Sequence, residues 1–186
     1  MTFTFLYIIT LFNTSSLTVP TELTKEVDPV IETIASADEI KWYTWEEAAE
    51  LSKTAPKKVF IDLYTDWCGW CKKMDKSTFQ DPEVVKYLND NFYPVKFNAE
   101  RKDDITWSDK TFKFVKAGRR GYHQLAYALL DGRMGYPAFV TLDESFARIM
   151  ISPGYKKAPQ LMKELVFAKD EKYIEMTFDD YMTKAE

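Results

Sequence analysis

The chain has 186 residues, 46% of them hydrophobic and 16% aromatic, which is enough for one domain with extensions and a sizeable core but cramped for two full domains. Its net charge is −4, and its basic pairs (Lys57-Lys58, Lys72-Lys73, Arg119-Arg120) are short and scattered. That balance argues against a nucleic-acid partner, because no basic excess exists to neutralise phosphates. There is no repeat and no low-complexity block.

Residues 3–12, FTFLYIITLF, are nearly all apolar. Such a run is far short of the ~20 residues that cross a bilayer as a helix, so no stable membrane span is expected. It fits the apolar core of a secretory signal. Residues 1–20 therefore read as a signal peptide and 21–39 as a polar linker, with a periplasmic or otherwise exported location. The cytoplasm is the alternative, since no Lys or Arg lies in the first 24 residues and no clean small-x-small cleavage site stands out.

Residues 40–43 read as a short strand. Thr44 and Glu47 form a capping-box pattern that opens a helix to about Ser52, before Pro56 and two lysines. The compact apolar run 58–64, KVFIDLY, reads as a central strand buried on both faces. Residues 69–79 carry helix formers. Asp81-Pro82 is an N-cap followed by proline at the first helical position, and Val84, Val85, Leu88 and Phe92 make one helical face. Residues 93–98 are another strand, and 105–115 resemble a hairpin around Ser108-Asp109-Lys110. A helix over 122–130 ends at Asp131-Gly132. Strands follow over 138–142 and 147–151, then an amphipathic helix over 158–168. The extension 171–186 holds a short last helix opening at 177–180. Strands alternating with helices, then a closing hairpin, predict an α/β fold: a central mixed sheet flanked by helices, with a hairpin insert.

Both cysteines lie in WCGWC, residues 67–71. The strand ends near Thr65 and a helix begins at about Cys68, where backbone N–H groups lack partners and the helix dipole is positive. Such a position favours thiolate over thiol and makes Cys68 the expected nucleophile. Cys71, almost one turn further on, lies on the same side and can attack a mixed disulfide held by Cys68. A zinc site needs about four ligands. With no second cysteine pair, and with His123 as the only histidine, no metal is expected. A purely structural disulfide across so short a loop would remove little chain entropy. Asp62 interrupts an apolar strand, where a charge is costly unless protonated or partnered.

These residues carry a family resemblance. FIDLYTDWCGWCKKMD resembles the strand, turn and helix of the thioredoxin-fold active site, and GYPAFVTLD resembles its later strand preceded by the cis-proline. The charged insert, GRRGYHQLAYALLDG and TFQDPEVVKYLNDNFYPVKFNAE, resembles a bacterial group of exported thioredoxin-like proteins. The resemblance covers residues 40–170. Trp70 departs from thioredoxin itself, which has proline there, and that position tunes redox potential.

The resemblance implies a thiol-disulfide oxidoreductase that reduces protein disulfides. An oxidase or isomerase using the same pair is the alternative, as is a non-catalytic peptide-binding module. It places Asp62 beneath the second cysteine, where it helps move that thiol's proton, with Lys96 beside it. Trp67 would pack next to the site and contact substrate, and Trp70 would face substrate. Pro137 would be cis and bring the Tyr136 backbone alongside an extended substrate chain. His123 reads as a helix-surface residue, and Lys72 and Lys73 as solvated. No cofactor is needed. The partners would be a disulfide-containing protein substrate and an unidentified redox partner that restores the dithiol, with the chain itself a monomer. The hairpin over 105–115 would stand as a wall beside the cysteines, or its aromatics Trp107, Phe112 and Phe114 would pin it to the domain.

Overall fold

The computed structural model describes residues 39–184. The apolar run and almost all of the expected linker lie outside them. Helix α1 (Trp45–Leu51) opens as the sequence predicts, with the Thr44 side chain accepting from the Glu47 N–H and Glu47 accepting from the Thr44 N–H. Strand β1 (Lys58–Tyr64) follows, then helix α2 (Gly69–Asp75), which is shorter than its run of helix formers. The chain breaks at Lys76 and makes a single 3-10 turn at Thr78–Gln80 before α3 (Pro82–Asn91), which Asp81 caps. Strand β2 (Phe92–Asn98) leads to two hairpins, β3 (Ile105–Trp107) with β4 (Lys110–Phe112), and β5 (Phe114–Ala117) with β6 (Arg120–His123). The remaining elements are α4 (Gln124–Leu129), β7 (Ala138–Leu142), β8 (Arg148–Pro153), α5 (Ala158–Lys169), a second 3-10 turn at Lys172–Ile174 and α6 (Phe178–Lys184). Among the described residues no helix is long and apolar enough to cross a membrane.

The main sheet has the order β2-β1-β7-β8, with β1 parallel to β2 and antiparallel to β7, and β7 antiparallel to β8. It is the mixed sheet the sequence predicted. Strand alternation sorts the core into two layers. Val59, Ile61 and Leu63 face a cluster with Trp45, Leu125 and Leu129, while Phe60 faces Met74, Val84, Leu88, Leu161 and Leu165. Asp62 and Tyr64, in phase with Phe60, therefore point to the layer that holds α2, and Lys96 of β2 joins them there.

Several expectations need correction. Residues 40–43 form no strand, only one bridge, between Tyr43 and Val95. The Lys41 N–H turns to the Asn89 side chain, and Pro94 has no N–H with which to extend the ladder. The insert is two hairpins rather than one. Ser108 and Asp109 both take positive φ (46° and 62°), which closes the first after two residues. Residues 120–123 are consequently strand, so α4 starts later than the sequence suggests. His123 is not on a helix surface. It is fully buried, and its Nδ1 accepts from the Leu125 N–H as the cap of α4, while Nε2 meets the Asp103 carbonyl oxygen.

Candidate active site

Cys68 and Cys71 are joined in a disulfide, their Cα atoms 5.3 Å apart. Cys68 is the N-cap of α2, and its Sγ accepts the Cys71 N–H at 3.1 Å. A cap position normally holds Ser, Thr, Asp or Asn, whose oxygen satisfies an orphan amide. Here sulfur does so, and the same contact that caps the helix stabilises negative charge on that sulfur once the disulfide opens. Both cysteines are nearly covered, 4% and 3% exposed, so burial does not distinguish them.

Asp62 is 1% exposed and lies in register with Lys96 on the neighbouring parallel strand. Lys96 Nζ stands 2.7 Å from Asp62 Oδ2, yet neither carboxylate oxygen receives a directed hydrogen bond. Burial pushes the Asp62 pKa up to about 6, against the pull of Lys96. Lys96 also pairs with Asp75 on α2 and packs over the rings of Trp42, Tyr64 and Phe79. Burial works against its charged form, but the two carboxylates outweigh it and raise its pKa. Asp75 lies four residues after Cys71, on the same helical face; that spacing is visible in the sequence, but the sequence reading did not use it.

The two tryptophans lean on different neighbours. Trp67 is 49% exposed, with its ring edge-on to Tyr136 at 6.0 Å, and its Nε1 donates to Glu100 Oε1 at 3.1 Å. The Arg120 guanidinium lies 3.9 Å from its ring centroid. Trp70 is 56% exposed and packs instead against Tyr155 and Lys73. The Tyr136–Pro137 peptide bond is cis, and the pairing of Ala138 with Leu63 sets Pro137 beside the end of β1 that leads to Cys68. Burial, then the Glu100 charge, push the Tyr136 hydroxyl up to about 12, so it stays neutral. Among the residues expected at the site, Trp67, Tyr136 and Pro137 thus gather on one side, and Asp62 and Lys96 share the layer of α2. Sequence reasoning gave no role to Glu100, Arg120 or Tyr155, although the first two lie in segments that carry the family resemblance; they come from loops and a hairpin tip.

Of the two readings of the first hairpin, a wall beside the cysteines or aromatics that pin it to the domain, the contacts favour the second. Trp107 packs 5.3 Å from Trp45 and 4.5 Å from Phe146, between centroids. Phe146 lies in the turn after β7, and the pairing of Val59 with Leu142 puts that turn at the opposite end of β1 from Cys68. Ile105 and Phe112 are buried in the same layer. The first hairpin is pinned to the scaffold, and it is the second that reaches the WCGWC segment, through Arg120.

Among the described residues no cluster of His, Cys, Asp and Glu could hold a metal ion. Comparison with known proteins agrees with this architecture. A thioredoxin-fold protein from Helicobacter pylori superposes with a TM-score of 0.52 at 19% identity, over 70% of this chain and 80% of that one. The uncharacterized protein B0495.5 of Caenorhabditis elegans is 25% identical over 142 residues, 67% of this chain and 18% of its own length. The thiol:disulfide interchange protein DsbD of Escherichia coli is 56% identical over 34 residues, 18% of this chain and 6% of its own length. The chain thus spans about a fifth or less of the curated relatives it matches. The family model Thioredox_DsbH, described as "Protein of unknown function, DUF255", matches residues 20–145, about two thirds of the sequence. The chain has the thioredoxin fold and belongs to the Thioredox_DsbH family.

Proposed function

We propose that the protein is a thiol-disulfide oxidoreductase that reduces disulfides in other proteins. The observation that carries this is the Cys68–Cys71 disulfide at the start of α2, with Cys68 Sγ in the cap position and a buried carboxylate on the α2 side of the sheet. Similarity to a thiol:disulfide interchange protein supports it. In the dithiol form, the Cys68 thiolate attacks a substrate disulfide. A Cys68–substrate disulfide forms, and the first substrate sulfur leaves as thiolate and takes a proton from solvent. Cys71 gives its thiol proton to the Asp62 carboxylate, and the resulting thiolate attacks Cys68 Sγ. The intramolecular disulfide forms and the second substrate thiolate departs. Two electrons have then passed to the substrate, and a dithiol redox partner must return them. Lys96 pairs with Asp62 and is itself anchored to α2 by Asp75. Trp67, Trp70, Tyr136 and the backbone around Pro137 form the surface an extended substrate chain meets.

The apolar run at residues 3–12 supports action outside the cytoplasm, where substrate disulfides persist. The deciding experiment is insulin-disulfide reduction by dithiothreitol with catalytic amounts of protein. Turnover above background that is lost in Cys68→Ser is expected; no turnover in the folded protein would leave a binding module. The reduction potential of the pair, set against that of the compartment, then fixes direction.

A further inference from the structure

Resting on the exchange reaction above, we infer that Arg120 recognises substrate by receiving a carboxylate carried by the substrate protein beside its disulfide. Arg120 opens β6 directly after the two-residue turn Gly118-Arg119. It is stacked over Trp67, the residue immediately before Cys68. That contact uses the attraction between the cation and the ring face and leaves the N–H fork of the guanidinium unspent. Among the described residues no carboxylate pairs with Arg120, whereas Arg101 and Arg148 are both engaged by acids.

The platform beneath Arg120 is held from several sides. Glu100 accepts from the Trp67 indole, so its carboxylate is turned to the ring edge, and Tyr136 packs against the same ring. The hairpin is fixed by Gly121, where a Cβ would collide with the Phe114 ring and the Val115 carbonyl. Residues 114–123, FVKAGRRGYH, carry Lys116, Arg119 and Arg120 and no acid, in a chain whose net charge is −4. A charged turn ordinarily points to water. Here a guanidinium that no described carboxylate pairs with is instead stacked over the residue next to Cys68. A planar fork in that state matches a carboxylate in two-point geometry.

The test uses the reduced full-length protein and three peptides with the same disulfide, flanked by two Glu, two Gln or two Lys. The quantity read is the ratio of kcat/KM values within one variant, so a general loss of folded protein cancels. Wild type should favour the Glu peptide over the Gln peptide roughly tenfold at low salt, with the preference shrinking as salt is added. Arg120→Ala should bring the ratio near one, and Arg120→Glu should invert it toward the Lys peptide. Arg119→Ala should keep the wild-type ratio. A wild type without acidic preference, a preference that survives in Arg120→Ala, or equal loss in Arg119→Ala each overturns the assignment to Arg120. Failure of wild type to reduce any of the three would remove the exchange reaction itself, and this recognition with it.

Discussion

Asp62 and Lys96 face each other in register across two parallel strands, with their charged ends 2.7 Å apart and Asp62 sealed from solvent. The pair does not neutralise the cost of burial, because the Asp62 pKa still rises to about 6. An acid with a pKa near 6 exchanges protons readily at working pH, which suits the proton acceptor proposed for Cys71. Lys96 also joins Asp62 to Asp75 on α2, a residue that meets solvent.

The first consequence is for stability. In the unfolded chain Asp62 loses its proton near pH 3.9, and in the folded chain near 6. Between those values the folded state binds more protons, so its stability falls as pH rises, by an amount on the order of 3 kcal/mol in total. Asp62→Asn removes this cost and leaves Lys96 its Asp75 partner. Denaturant unfolding should find the variant more stable than wild type by about 1–3 kcal/mol at pH 7.5, with the gain fading toward pH 4. A variant less stable than wild type at pH 7.5 would show that the ion pair outweighs burial.

A second prediction separates a proton carrier from a structural acid. If the Asp62 carboxylate accepts the Cys71 proton, the rate of mixed-disulfide resolution should climb through about pH 6 as Asp62 ionises. Asp62→Asn should slow that step and erase the inflection while leaving Cys68 able to form the mixed disulfide. Rapid-quench kinetics across pH 5–8 would test this, and an inflection retained in Asp62→Asn would assign it to another group.

Much of this was legible in the residues. The apolar run 58–64 predicted β1 to its ends, and the Thr44–Glu47 and Asp81-Pro82 patterns placed two helix starts, because caps are local chemistry written in a few neighbouring side chains. Asp62 stood out as an acid in the middle of an apolar strand. What sequence could not show depends on contacts far apart in the chain. His123 looks like a surface residue of a polar segment, and only the approach of the Asp103 carbonyl and the start of α4 explains its burial. Arg120 belongs to one of the short, scattered basic pairs, and only the two-residue turn brings it over Trp67.

The two cysteines should divide their labour. Cys68 Sγ accepts a helix amide, so its thiol pKa should fall below the free value of about 8.5. Brief iodoacetamide treatment of the reduced protein near pH 7, followed by mass mapping, should label Cys68 first. Cys71→Ser should accumulate mixed disulfides with substrate on non-reducing gels, since no thiol remains to resolve them. Cys68→Ser should trap little. Equal trapping, or first labelling at Cys71, would reverse the roles.

The last prediction concerns the first hairpin. Trp107 is half-buried against Trp45 and Phe146, at the end of the sheet away from Cys68. Its truncation removes two aromatic contacts and opens a gap over α1. Full burial of such a ring would cost 3–5 kcal/mol on change to alanine, and partial burial scales that down to about 2–3 kcal/mol. Trp107→Ala should therefore lower the urea midpoint clearly. At temperatures where the variant remains folded, its rates toward hydroxyethyl disulfide and toward a protein disulfide should both match wild type, because Trp107 packs against Trp45 and Phe146 at the end of β1 away from the WCGWC segment. Replacement of Arg120 should do the reverse, changing substrate preference with little effect on the midpoint, since Arg120 lies exposed at a hairpin tip. If Trp107→Ala slowed only the protein substrate at unchanged stability, the first hairpin would be a substrate wall after all, and its packing against Trp45 and Phe146 would be incidental.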